Sequence, residues 1–138
     1  MDRVTAPYEQ KFDPDLTGDV IRRVVEAFYA KARQDASLGP VFNALVDDWD
    51  AHIDKVTAFW LYATRLDRSY DARDFMPAHV RHPQVQASLL PQWLLLFRET
   101  AREICSENVA GILVDIAERM AASIEISLER RSQPGGAD

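Results

Sequence analysis

Two of the three histidines in this chain, His79 and His82, stand three residues apart in "FMPAHVRHP" (75–83), each a short step from a proline. On a regular helix, positions i and i+3 lie on one side, so the pair could share a metal ion. The rest of the sequence does not complete an ordinary metal centre. Zinc sites usually take three or four ligands, and there is no cysteine cluster and no HExxH motif. A di-iron carboxylate bundle needs Glu three residues before its histidines. Here those positions hold Trp49, Met76 and His79.

Three further residues have chemistry to offer. His52 falls on an apolar stripe, one turn before Val56 and two before Phe59. An inward imidazole is most often a satisfied core residue, but its ring nitrogens still need partners. Tyr29 flanks another apolar stripe, where a tyrosine packs its ring and seeks a partner for its hydroxyl. Trp93 opens an apolar helix two residues after Pro91 and reads most simply as a large core residue. Cys105 is the single cysteine. It excludes an intrachain disulfide framework, favours a reducing compartment, and reads as a small apolar residue in a helix.

The elements that must position these residues are helical. From Thr17 to about Arg33, apolar residues recur at spacings of three and four through Val20, Ile21, Val24, Val25, Phe28, Tyr29 and Ala32, with Thr17 or Asp19 as the cap. Gly39-Pro40 closes that region, and "PVFNAL" suits a short helix begun by Pro40. A second long helix runs from Asp47 or Asp48 to Thr64, with Trp49, His52, Ile53, Val56, Phe59, Trp60 and Ala63 on its inner face. "RLDRSYDARD" breaks the pattern. The third long helix starts near Pro91, and the fourth carries Val109, Ile112, Leu113, Ile116, Met120, Ile124 and Leu128, with "SEN" (106–108) capping between them. Proline disfavours helical backbone in the residue before it. Met76 and His82 are therefore expected outside the helix, which leaves about one turn, 77–81, around His79. No hairpin signal and no internal repeat is present.

An all-α frame with a histidine on a loose turn and aromatic residues on facing helices suits haem better than a protein-only metal site. Haem iron needs one neutral imidazole, and the ring is held by apolar burial. Phe42, Phe59 and Trp60 are the candidate walls.

Composition bounds the rest. The 138 residues fit one domain, 47% are apolar, and the formal net charge is −6. An acidic chain without a dense basic run is a poor nucleic-acid binder; "ERR" (129–131) reads as a solvated helix end. The longest apolar run, "WLLLF" (93–97), falls far short of the ~20 residues of a membrane span. The opening residues contain no signal-peptide core. The expectation is a cytoplasmic domain over 1–131, followed by a disordered tail over 132–138.

Four segments in order, "FYAKARQDASLGPVF" (28–42), "WDAHIDKVTAFW" (49–60), "MPAHVRHP" (76–83) and "WLLLF" (93–97), resemble the third group of truncated haemoglobins. The Gly-Gly turns of the other two groups are absent from the body of the chain. The resemblance spans about residues 18–128 and implies a truncated globin fold, a two-over-two helical sandwich around haem b. It implies His79 as the proximal iron ligand, because the family places that histidine fourteen residues before a tryptophan, here Trp93. It implies Tyr29, His52 and Trp93 as distal residues that stabilise bound O2 or another diatomic ligand, and Phe28, Phe42, Phe59, Trp60 and Arg81 as pocket residues. Arg73 and Arg81 lie near the turn where propionates are expected. The sequence departs from the family's "YxGxP" connection, with Ala72 and Asp74 in "YDARDF", and has His82 where an apolar residue is usual. Nitric oxide dioxygenase or peroxidase-like turnover would require an external electron donor or reductase, since the chain has no flavin or NAD motif. The rival expectation is a haem-free globin-fold interaction or sensor domain.

Overall fold

The first apolar stripe becomes α1, Gly18–Ala32, whose inner face buries Ile21, Val24, Val25, Phe28, Tyr29 and Ala32. The computed structural model describes residues 13–132 apart from 72 and 74, with the side chain of 132 also excluded. Of the two candidate caps, Thr17 takes the role: its side chain accepts from the Val20 N–H, satisfying one of the donors that every helix start leaves open. The chain then turns through residues 33–38. There Asp35 accepts from the Ser37 and Leu38 amides. Gly39 opens α2 (Gly39–Leu45), one residue earlier than the Pro40 start that the sequence suggests. A Cβ at Gly39 would lie 2.7 Å from the Arg33 carbonyl oxygen, so only glycine lets the backbone pass so close.

Asp48 caps α3, Trp49–Ala63, through the Ala51 amide. The helix ends where the pattern breaks. Leu66 N–H returns to the Leu61 carbonyl and Arg65 N–H to that of Tyr62. With Arg65 at φ 65, this is the left-handed termination that satisfies a helix's last carbonyls.

The expectation around His79 needs correcting. The short helix α4 is Phe75–Val80, so Met76 is helical although it precedes proline. Pro77 sits in the first turn, where its missing N–H would have had no partner in the helix. A 3-10 turn at Ala87–Leu89 leads into α5, Leu90–Ile104. Cys105 lies one residue past that helix, extended and half-buried, rather than inside it. Ser106 accepts from the Val109 amide as α6, Glu107–Ser132, begins.

α1 packs on α3, α5 on α6, and α1 also packs on α5, giving two helix pairs in a two-over-two sandwich. The α1/α3 pair runs antiparallel: Gly18 faces Leu61 at one end, while the Tyr29 ring meets Trp49 and His52 at the other. Arg98 reaches Glu118 across the α5/α6 pair. Between the pairs, Val24, Phe28, Trp60, Phe97, Ala101, Val109, Leu113 and Ala117 form one core. Each large apolar side chain buried there contributes about 1.5–3 kcal/mol. α4 packs against α6. Among the described residues, no helix is long and apolar enough to cross a membrane. The expected disordered tail begins at 132, and its residues 133–138 lie outside the described residues, as do Ala72 and Asp74 of the "YDARDF" connection.

Candidate functional site

The aromatic and imidazole side chains form two groups, one centred on α1 and α3 and one on α4. The first is centred on Tyr29, which is 7% exposed. Its ring packs edge-on to Phe28, Phe42 and His52, and at a tilt to Trp49. Its hydroxyl lies 3.2 Å from Nε2 of His52. Burial pushes the Tyr29 phenol far above its ordinary range, so it remains a neutral donor. Burial, then the charges of Lys55 and His79, holds the His52 imidazole below its usual value. His52 is therefore neutral near pH 7, and it lies near enough to His79 for a charge there to lower its pKa further.

Trp93 closes this group from α5. It packs edge-on against Phe28, with ring centroids 5.9 Å apart, and stacks on Phe97 at an interplanar angle of 9°. Phe97 in turn stacks on Trp60 at 5°. This column fixes the start of α5 against α1 and α3. It also puts Trp60, only 4% exposed, in the core between helices, whereas its neighbour Phe59 turns towards α4. From the loop before α2, Asp35 accepts from the side chain of Gln92, adjacent to Trp93.

The second group is built on the six residues of α4. His79 is half-buried, and its Nδ1 lies 2.6 Å from the Phe75 carbonyl oxygen, one turn back. A carbonyl only accepts, so Nδ1 carries the proton and Nε2 carries a lone pair. Nε2 has no hydrogen-bond partner among the described residues. Burial lowers the His79 pKa, outweighing the bond to Phe75, and keeps the ring neutral. The Phe75 ring sits 4.6 Å from that of His79 and stacks on Phe59 at the same separation. The arrangement presents a neutral imidazole, oriented by a backbone carbonyl, beside an apolar aromatic wall. A metal-binding histidine needs this kind of orientation, with its second nitrogen donating to a fixed acceptor.

The residues picked out by sequence thus separate. Tyr29, His52, Phe28, Phe42 and Trp93 gather on one side, and His79 with Phe59 on the other. Trp60 is core, and Arg81 is exposed just beyond the end of α4. Arg73 is exposed and bound to Asp71. His82 contributes its backbone carbonyl to Arg131. Among the described residues, no three His, Cys, Asp or Glu side chains gather into a metal site.

Three participants are not apparent from sequence. Trp49 reads there only as a stripe residue, yet it touches Tyr29, Phe42 and His52, with the Arg33 guanidinium 4.3 Å from its ring centre. Phe75 falls outside a turn that starts at Pro77. Arg131 reads as part of a solvated helix end, but it is half-buried and hydrogen-bonded to the chain just after His79. The only signal for Phe75 is its place four residues before a histidine, and nothing in the local sequence marks Arg131.

No protein-family model matches the chain. In sequence it is similar to a curated group 3 truncated hemoglobin of Campylobacter jejuni, 26% identical over an alignment of 114 positions that covers 80% of this chain and 89% of that one. In structure it is similar to the crystal structure of the group III truncated hemoglobin from Campylobacter jejuni, with a TM-score of 0.79 and 24% identity, covering 88% of this chain and 98% of the other. The chain therefore has the truncated globin fold, and in sequence and structure alike it resembles the group III truncated haemoglobins.

Proposed function

We propose that this chain binds haem b between α3 and α4, with Nε2 of His79 as the iron ligand, and uses it to bind O2 or another diatomic molecule. The observation that carries this reading is His79 itself. Its Nδ1–H is committed to Phe75, and its other nitrogen is neutral and available. The donor set fits the group, since haem requires one such imidazole and apolar walls, and Phe59 and Phe75 supply wall on the same side. Similarity to truncated haemoglobins supports the same cofactor.

When bound, haem supplies an iron centre at which a diatomic ligand can sit and gain partial negative charge. The rest is the work of the chain. His79 would hold the iron. Tyr29 OH would donate to the ligand, and the indole N–H of Trp93 would be the second donor. His52 is the third, acting through Tyr29 or directly. Inside a low-dielectric pocket such bonds are stronger than in water. Two of them at about 1.4 kcal/mol each would slow ligand release roughly a hundredfold. Slow release suits redox chemistry or sensing, such as oxidation of nitric oxide by bound O2, more than delivery. Repeated turnover requires an external reductase. The lone, half-buried Cys105 suits a reducing, cytoplasmic setting.

The test is to express the full chain with haem supplied and record its absorption. An intense Soret band is expected, lost in His79→Ala and kept in His82→Ala. If the wild type has no band, the haem reading fails, and a haem-free interaction or sensor domain takes its place. If only His82→Ala loses the band, the ligand is His82. Catalytic nitrate formation with a supplied reductant separates an enzyme from a simple O2 binder.

A further inference from the structure

α4 is an unusual platform for a ligand. It has six residues, none of them fully buried, and it carries His79 one position before its end. A helix this short cannot hold itself together, because almost all its backbone groups belong to unpaired ends. Yet the Nδ1–H of His79 reaches Phe75 only while the backbone between them stays helical, four residues apart. Something outside α4 must keep its final turn wound.

That partner is on α6. Arg131 donates from Nη1 to the carbonyls of Val80 (3.2 Å) and His82 (3.0 Å), and from Nη2 to that of Val85 (2.9 Å). Val80 is the last residue of α4, directly after His79. The other two carbonyls belong to the stretch of chain that carries the backbone away from it. A guanidinium is well matched to several carbonyls at once, being planar, always charged, and equipped with five donors in a fixed fork. Its positive charge also lies at the negative end of the short helix. Its neighbour Arg130 is exposed and makes no such contact among the described residues.

We propose that Arg131 is a positioning residue for His79, gathering the carbonyls that follow it so that the imidazole keeps its tautomer and its aim. The purpose of that positioning rests on the reading of His79 as iron ligand; the positioning itself does not. It also makes the C-terminal part of α6 part of the site, so a change at residue 131 reaches the iron side of the pocket without touching it.

The experiment compares wild type, Arg131→Gln, Arg131→Lys and Arg130→Gln as full chains. In the haem-free chain, amide exchange over 79–85 should rise about tenfold or more in Arg131→Gln, the equivalent of one charge-assisted hydrogen bond. Exchange in α1 and α5 should stay unchanged. The nitrogen-15 shifts of His79 should lose their Nδ1–H character in the same variant. With haem bound, the ferrous iron–histidine stretching band should shift or broaden. Arg131→Lys should restore part of each effect, and Arg130→Gln should match wild type. The proposal is overturned if Arg131→Gln keeps the wild-type tautomer and local exchange, or if exchange rises evenly throughout the chain. A wild type that takes up no haem defeats the haem reading instead, and the exchange and tautomer measurements still decide the role of Arg131.

Discussion

Tyr29→Phe removes one oxygen and little else, so it isolates the hydroxyl proposed as the distal donor. The ring has four aromatic neighbours, with centroids at 5.1 Å (Phe28), 5.3 Å (Phe42), 5.5 Å (Trp49) and 5.1 Å (His52), and a phenylalanine can keep all of them. The direct structural loss is the 3.2 Å contact with His52. That costs about 1 kcal/mol of stability, the net worth of one neutral hydrogen bond. If Tyr29 is the proposed donor, the functional loss is larger. A ligand with partial negative charge accepts a bond worth about 1.5 kcal/mol or more, so O2 release should accelerate roughly tenfold. Part of this will be offset, because His52 loses its partner and can turn towards the ligand. The measurement is stopped-flow displacement of O2 from the reduced protein by carbon monoxide, with a thermal melt to show that both proteins are folded. Release within about twofold of wild type, in a variant that melts normally, would refute the donor role.

Two further outcomes follow from burial. His52 is held below the ordinary imidazole range by burial first, then by Lys55 and His79; Tyr29 and Trp49 complete its surroundings. Above about pH 6.5 both folded and unfolded states carry it neutral, and it adds no pH dependence. As pH falls through that value, the unfolded chain takes the proton first, so stability drops by at most about 1.4 kcal/mol per unit, levelling off below the folded pKa. Urea titrations of the haem-free chain should show a smaller loss between about pH 8 and pH 5.5 in His52→Leu than in wild type; equal losses would exclude His52 as a source. The Thr57 hydroxyl is buried in α3 without a hydrogen-bond partner among the described residues. Such a group costs about 1–3 kcal/mol, so Thr57→Val should raise the melting temperature, and a lowered one would mean that the hydroxyl has a partner after all.

The sequence exposes what depends on periodicity and hides what depends on a single long side chain. Stripes at three and four residues mark α1, α3, α5 and α6, because an amphipathic helix must write its buried face into its sequence. His52 and Tyr29 are legible for the same reason: they interrupt those faces with polar atoms that need partners, and they partner each other. α4 is harder. The rule for residues before proline points to Pro77 as its start, but a proline in the first turn costs a helix nothing, so Phe75 and Met76 join it. Arg131 is invisible for a different reason. Its neighbours Glu129 and Arg130 are exposed, and the carbonyls it binds lie 46–51 positions earlier in the chain. A long-range bond from side chain to backbone leaves no pattern in composition or spacing.

The neutral histidines use opposite nitrogens, and the donor role proposed for Tyr29 sets the direction of the distal hydrogen bonds. His79 spends Nδ1–H on Phe75 and keeps Nε2 as a lone pair. His52 meets Tyr29 through Nε2, where either partner can donate. Tyr29 has only one proton. If it gave that proton to His52, none would remain for a ligand, so a Tyr29 that donates to the ligand must accept from His52. The chain of bonds then runs from His52 Nε2–H to Tyr29 and from Tyr29 to the ligand, each strengthening the next. His52→Leu tests the order. Losing the outer bond, worth about 0.5–1 kcal/mol, should speed O2 release roughly two- to fivefold. The opposite order predicts the opposite sign: with its acceptor gone, the Tyr29 proton would be freed for the ligand and release would slow. A slower rate in His52→Leu would therefore reverse the assignment, making His52 a competitor for the proton of Tyr29 rather than its support.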